Sequence, residues 1–162
     1  MDNINLLKKY ALSYLSKYDS TKKNLERILT NKVMRMKKIE KNEKEHLFKT
    51  INQIVISLES KNIINEENFS LNKIASLYRQ GKSETFIKNT LIKKKLDKEI
   101  INKTLIDFEK NNPNWKIESA KKFANKKKLG RFGDIQNKKK DLSIMARAGF
   151  DYETAKKILG YD

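Results

Sequence analysis

Residues 69–105 read FSLNKIASLYRQGKSETFIKNTLIKKKLDKEIINKTL, and the spacing of the apolar positions in this stretch decides the fold. Leu71, Ile74, Ala75 and Tyr78 follow the i, i+3, i+4, i+7 series of one helix face, and Ile101, Thr104, Leu105 and Phe108 repeat it; Ile87 and Leu91 mark a third, shorter helix between them. Gly81 separates the helix of Leu71 to Tyr78 from the one that carries Ile87 and Leu91. Ser83 and Asp97 stand where N-caps belong, because a side-chain oxygen there accepts an amide that the first helical turn leaves unpaired.

The same order extends towards the N-terminus. Leu7, Tyr10, Ala11, Tyr14, Leu15 and Tyr18 lie on one stripe of a first helix. Asp19 or Ser20 offers the N-cap of a second helix, whose stripe of Leu25, Ile28, Leu29 and Val33 fades into the basic stretch 32–41. Asn42 with Glu45 resembles a capping box opening a third helix with Leu47, Ile51, Ile54, Val55 and Leu58 inward. Towards the C-terminus, Asn112-Pro113 reads as an N-cap followed by proline at the first position of a seventh helix, carrying Ile117, Ala120, Phe123 and Ala124. After Gly130-Arg131-Phe132-Gly133 an eighth holds Leu142, Met145 and Ala146, and Asp151 caps a ninth with Ala155, Ile158 and Leu159.

An internal repeat groups these helices in threes. Ala11-x-x-Tyr14, Ala75-x-x-Tyr78 and Ala120-x-x-Phe123 sit on the first helix of each group, and Thr21, Leu25 and Leu29 match Ser83, Ile87 and Leu91 at identical spacing. The expectation is an all-α chain of about nine helices, arranged as three tandem three-helix repeats over 1–64, 65–111 and 112–162 in an elongated, curved array.

Composition narrows the function. The 162 residues hold 37 Lys and Arg against 20 Asp and Glu, a net charge of +17, so anionic partners are expected. An AT-rich coding sequence would by itself raise Lys, Asn and Ile, so charge alone does not prove binding. Zero Cys excludes disulfides, thiolate zinc sites, iron–sulfur clusters and cysteine nucleophiles, and a single His removes most two-histidine chemistry. Five Gly and one Pro disfavour turn-rich β folds and glycine-rich phosphate cradles. No run approaches 18 apolar residues and the N-terminus lacks the pattern of an export signal, so a cytoplasmic monomer without membrane association is expected.

No catalytic constellation, cofactor motif or metal-ligand cluster emerges. His46 has no second His or Cys to share an ion with, and Glu66-Glu67 is explained by the attraction of carboxylates to the amide end of a helix. The informative feature is the window 121–140, where Lys121, Lys122, Lys126, Lys127, Lys128, Arg131, Lys138, Lys139 and Lys140 face Asp134 alone, a net +8 in twenty residues. On a helix, Lys121, Lys122 and Lys128 fall away from the stripe of Ala120, Phe123 and Ala124, so they meet water or a polyanion. Lys93-Lys94-Lys95 and the run Lys32, Arg35, Lys37, Lys38 and Lys41 are lesser clusters.

Trp115 either stacks on a nucleic-acid base or packs where two helical groups meet, and packing is the commoner use. Phe132, between Gly130 and Gly133, either tips a loop into a groove or pins that loop to the core. In Arg147-Ala148-Gly149-Phe150-Asp151, Gly149 can close a helix in the left-handed conformation while Phe150 folds back and Asp151 caps the next helix. That joint leaves Arg147 without an internal role, and it joins the nine cations of the window as a candidate partner-binding residue.

Three stretches together resemble the RecX family, bacterial regulators of the RecA recombinase: 69–105 as quoted, 58–69 (LESKNIINEENF) and 142–159 (LSIMARAGFDYETAKKIL). The likeness covers nearly the whole chain in the right order, and 11–29 echoes the family's first unit. Departures are Asn62 where glycine is usual after the third helix, Lys95-Leu96 in place of Gly-Ile, and a more basic stretch at 32–44. The resemblance implies three tandem three-helix repeats and a non-enzymatic role in DNA repair, homologous recombination and SOS control. Such proteins lie in the groove of the RecA–DNA filament, hinder its extension or promote its disassembly, and lower its ATPase, strand-exchange and co-protease activities. A protein that contacts DNA or RNA phosphates directly, using its eighth and ninth helices as a helix-turn-helix, is the alternative.

Overall fold

The computed structural model describes residues 2–162, and among them it shows nine α-helices, one 3₁₀ turn and no strand. The helices are α1 (Asn3–Leu15), α2 (Lys22–Arg35), α3 (Lys41–Ser60), α4 (Glu66–Arg79), α5 (Glu84–Lys93), α6 (Lys98–Asn111), α7 (Trp115–Lys127), α8 (Lys138–Arg147) and α9 (Tyr152–Leu159). The 3₁₀ turn, Gly130–Phe132, lies between α7 and α8. Two compact units result: the chain up to Phe69 together with Lys94–Leu96, and Ser70–Lys93 together with Asp97–Asp162.

In the first unit Leu7, Ala11, Leu25, Leu29, Val33, Leu47, Ile51, Ile54, Val55, Leu58 and Ile64 form the core. The stripe of α3 is buried as its spacing predicts, and each large side chain contributes roughly 1.5–3 kcal/mol by leaving water. On α1 only Leu7 and Ala11 are buried, and Tyr18 lies beyond the helix end with most of its ring exposed. A helix of this length presents a narrow stripe to its neighbours, so the outer tyrosines reach solvent. Asn42 is not a cap: α3 begins at Lys41 after Glu40, which makes no side-chain capping bond, and Asn42 sits inside the first turn. Thr21, rather than Asp19 or Ser20, caps α2, with Oγ1 accepting the Asn24 N–H at 3.2 Å and donating to the Lys94 carbonyl at 3.1 Å. Glu66 completes that helix start by accepting the Lys22 N–H at 2.9 Å, so its carboxylate serves the amide end of α2 as well as beginning α4.

The second unit repeats the hydroxyl device. Ser83 Oγ accepts the Phe86 N–H at 3.2 Å and donates to the Ala148 carbonyl at 2.7 Å. Gly149, at φ +92°, permits this approach, since a Cβ there would lie 2.5 Å from Ser83 Oγ. The joint after α8 is as the sequence suggests: Phe150 N–H returns to the Met145 carbonyl, Phe150 is buried, and Asp151 Oδ1 accepts the Thr154 N–H at 2.8 Å. Between α4 and α6, Ser70 and Thr104 are both buried with their hydroxyls 2.6 Å apart. Thr104 donates to the Ile100 carbonyl at 2.7 Å, so the shared proton between the two hydroxyls is Ser70's.

The seventh helix differs from expectation. Asn112 ends α6, its Nδ2 donating to the Phe108 carbonyl, and α7 starts only at Trp115 after a turn through Pro113 and Asn114. The buried residues of α7 are Trp115, Ser119, Ala120 and Ala124, and Ile117 is exposed. On α8, Ala146 is exposed, and Asp141 joins Met145 in the interior. Asp97 begins α6 without a side-chain capping bond. Trp115 packs, with its ring edge-on to Phe108 at 5.7 Å, and only 1% of its surface is exposed.

Candidate functional site

Most of the candidate cations sit on two short helices, α7 and α8, whose inner faces mix alanines with larger apolar residues. In α7, alanines 120 and 124 allow close contact with α9 while Lys121, Lys122, Lys126 and Lys127 project outward, all exposed. Lys128 closes the helix at φ +54°, and the following Leu129 N–H bonds the Ala124 carbonyl. Lys138, Lys139 and Lys140 form the first turn of α8, where cations oppose the helix dipole.

A buried anion offsets that placement. Asp141, 5% exposed, accepts the Tyr161 hydroxyl at 2.5 Å, the Gly130 N–H at 3.1 Å and the Asn137 N–H at 3.3 Å through one carboxylate oxygen. Burial pushes this carboxyl up, but the Tyr161 hydroxyl, the two amides and the Lys140 charge outweigh it and hold it below its ordinary value. Tyr161 is pushed up to about 12 by burial and by the carboxylate it donates to. Asp141 therefore ties the 3₁₀ turn, the start of α8 and the penultimate residue into one knot beneath the cations.

The structure distributes the ten candidate cations rather than gathering them. Lys127 and Arg147 line a depression of about 400 Å³ together with Lys82, whereas Lys121 and Arg131 line another of about 580 Å³ that also contains Glu118 and Asp162. Arg131 Nη2 donates to the Lys157 carbonyl at 2.9 Å, so this guanidinium satisfies the end of α9. Lys122 Nζ lies 3.7 Å from the centroid of the Tyr78 ring, and the Tyr78 hydroxyl donates to Glu118. That hydroxyl is pushed up by the bond to Glu118, by burial and by the carboxylate's charge. Phe132 packs against the core of α7, α8 and α9, pinning the 3₁₀ turn, and Arg147 Nε lies 3.4 Å from the Ser143 carbonyl with its side chain exposed.

Sequence reasoning missed two features. Lys82 and Phe86 enter the first depression from α5 and the turn before it, some forty residues from Lys127, and no spacing rule links them. Asp141 carried a faint signal, an acid directly after three lysines. His46 is exposed on α3, and among the described residues no three His, Cys, Asp or Glu side chains gather as a metal site. Among the same residues no helix is long and apolar enough to cross a membrane.

Fold and surface define an all-α protein of short, closely packed helices with a strongly basic C-terminal third. The chain is 31% identical over 158 residues, 94% of its length and 83% of the relative's, to the regulatory protein RecX of Myxococcus xanthus (strain DK1622). It belongs to the RecX family. No family model matches it. A crystal structure of RecX from Lactobacillus salivarius superimposes with a TM-score of 0.72 over 99% of this chain and 96% of that one, at 22% identity, which supports the fold.

Proposed function

We propose that this protein is a non-enzymatic negative regulator of the RecA recombinase that acts in the cytoplasm by binding the recombinase–DNA filament. On this reading it hinders filament extension or stability and so lowers ATPase, strand exchange and co-protease activity, in DNA repair and SOS control. The observation that carries it is the likeness over 94% of the chain to a protein named as a regulatory RecX. The exposed cations of 121–140 and Arg147 support it physically, because a basic surface is drawn to a filament that carries nucleic acid, and releases its counterions on contact. The three helical groups at 1–64, 65–111 and 112–162 are the modules we assign to it.

The test is a titration of RecA's DNA-dependent ATPase. Protein at well below one molecule per recombinase subunit is expected to lower the rate. Inhibition that appears only once the free DNA is coated would replace this reading with direct competition for phosphates. Replacing Lys126, Lys138 and Lys139 by glutamine is expected to weaken filament binding and to reduce the slope of log affinity against log salt by about 3. These residues are chosen over Arg131 because its substitution would also unpair the end of α9. An unchanged slope removes this surface from the interface.

A further inference from the structure

The depression between α5, α7 and α8 combines features that neither the fold nor the family assignment requires. Phe86, Phe123, Phe150 and Ile144 give it an apolar lining. Lys82, Lys127 and Arg147 supply its charge, and no carboxylate belongs to its lining. The neighbouring depression at Arg131 has Glu118 and Asp162 in its wall, and a third nearby has Glu153 and Asp162. Phe86 is 42% exposed, and Lys82 Nζ stands over one face of its ring at 4.7 Å from the centroid, so a base that packs against Phe86 meets the rest of the ring or displaces this mobile ammonium toward a phosphate. Backbone holds its shape: Gly81, in its lining, takes φ +73°, Gly149 between the lining residues Ala148 and Phe150 takes φ +92°, and Ser83 is held by two hydrogen bonds. Its hydroxyl is thereby occupied, so the lining presents cations and hydrocarbon and little else.

We propose that this depression receives an unstacked base of single-stranded DNA, with Phe86 against the base and Lys82, Lys127 and Arg147 on the flanking phosphates. The volume of about 400 Å³ admits one planar base with water, and an aromatic wall beside cations is the arrangement by which proteins hold single strands without reading sequence. An acidic peptide is the less suitable occupant. Among the described residues no strand offers an edge for a peptide to extend, and a depression with three cations among its lining residues lacks the continuous apolar groove that an amphipathic helix needs. The proposal deepens the filament reading and rests on it for the source of the strand, while the binding itself is a property of this chain alone.

The test uses the full-length protein and two fluorescein-labelled oligonucleotides of equal length, one of thymidines and one of abasic residues, titrated by anisotropy at fixed salt. Wild type is expected to bind the thymidine strand about tenfold more tightly. Phe86→Ala, at a half-exposed position that the fold tolerates, should bring the two affinities together, and Arg147→Ala should weaken both strands while keeping their ratio. Equal wild-type affinity for the two strands, or an unchanged ratio in Phe86→Ala, overturns the proposal. So does displacement of the thymidine strand by a phenylalanine-containing oligoglutamate peptide at equal concentration, which would make the site a protein-docking site. Equal binding of the two strands by wild type, with its recombinase inhibition intact, refutes the base site alone; wild-type discrimination without inhibition at any ratio of protein to recombinase refutes the regulatory reading alone.

Discussion

Helices α1, α2 and α3 are joined by long aliphatic side chains, whereas α7, α8 and α9 combine alanines 120, 124 and 155 with Met145, Ile158 and Leu159 and a buried carboxylate. The difference follows from helix length and charge. With 14 and 20 residues, α2 and α3 can each present three or more large apolar residues to a partner. With 10 and 8 residues and a lysine-rich surface, α8 and α9 have too few positions for that, so close approach through small residues and a polar knot at Asp141 take its place. The part of the molecule that carries the densest positive charge is thus the part whose packing includes a compensating buried anion.

The largest effect that could break this comparison is truncation of Leu29, which is fully buried in the first unit. Leu29→Ala is expected to cost about 3 kcal/mol in urea unfolding followed by circular dichroism. Asp141→Asn should cost about 2 kcal/mol, because a neutral amide oxygen replaces the charged acceptor on which two N–H groups and a hydroxyl converge. If the order of the two were reversed, the polar knot and not the aliphatic core would dominate stability.

The knot also predicts the pH response. The folded carboxyl of Asp141 lies below its unfolded value, so its contribution is complete above that value and is lost as the pH falls through the lowered one. Tyr161 is raised, so its contribution is complete below pH 10 and fades as the pH rises towards about 12. Wild type should therefore lose its advantage over Asp141→Asn in acid, and its advantage over Tyr161→Phe in strong base. Parallel stability curves for wild type and variants across both ranges would remove Asp141 and Tyr161 as the coupled pair.

The smallest effects concern turns. Lys95 and Lys128 hold positive φ values of 62° and 54°, where a Cβ crowds the backbone. Lys95→Gly and Lys128→Gly are each expected to raise stability by about 1 kcal/mol, and Asn62→Gly, at φ 55°, by only a few tenths because asparagine tolerates that region. A loss at either lysine would show that its side chain does more for the fold than its backbone costs.

Much of this was legible in the sequence. Helix periodicity fixed nine helices and nearly every core position of α3, α5 and α9, and Thr21 and Ser83 stood out as equivalent helix starts through their shared spacing. Asn62 after α3 and Lys95 after α5, where the resemblance leads one to expect glycine, both hold positive φ. Short-range signals failed where two local choices were close in energy. Asn112-Pro113 suits a helix start as well as a helix end, and Asn42 with Glu45 fits a capping box that the earlier start of α3 pre-empts.

What the sequence determined by itself was the helical class, the order of the helices and the sign and location of the charge, all of which depend on residues within a few turns of one another. Only the tertiary structure decided that Arg131 closes α9, that Asp141 collects three donors from three segments, and that Lys82 and Phe86 join Lys127 and Arg147 around one depression. Apart from Asn137, four positions before Asp141, these meetings bring together residues from 11 to about 65 positions apart. Such proximity is set by helix packing and carries no periodic signature along the chain.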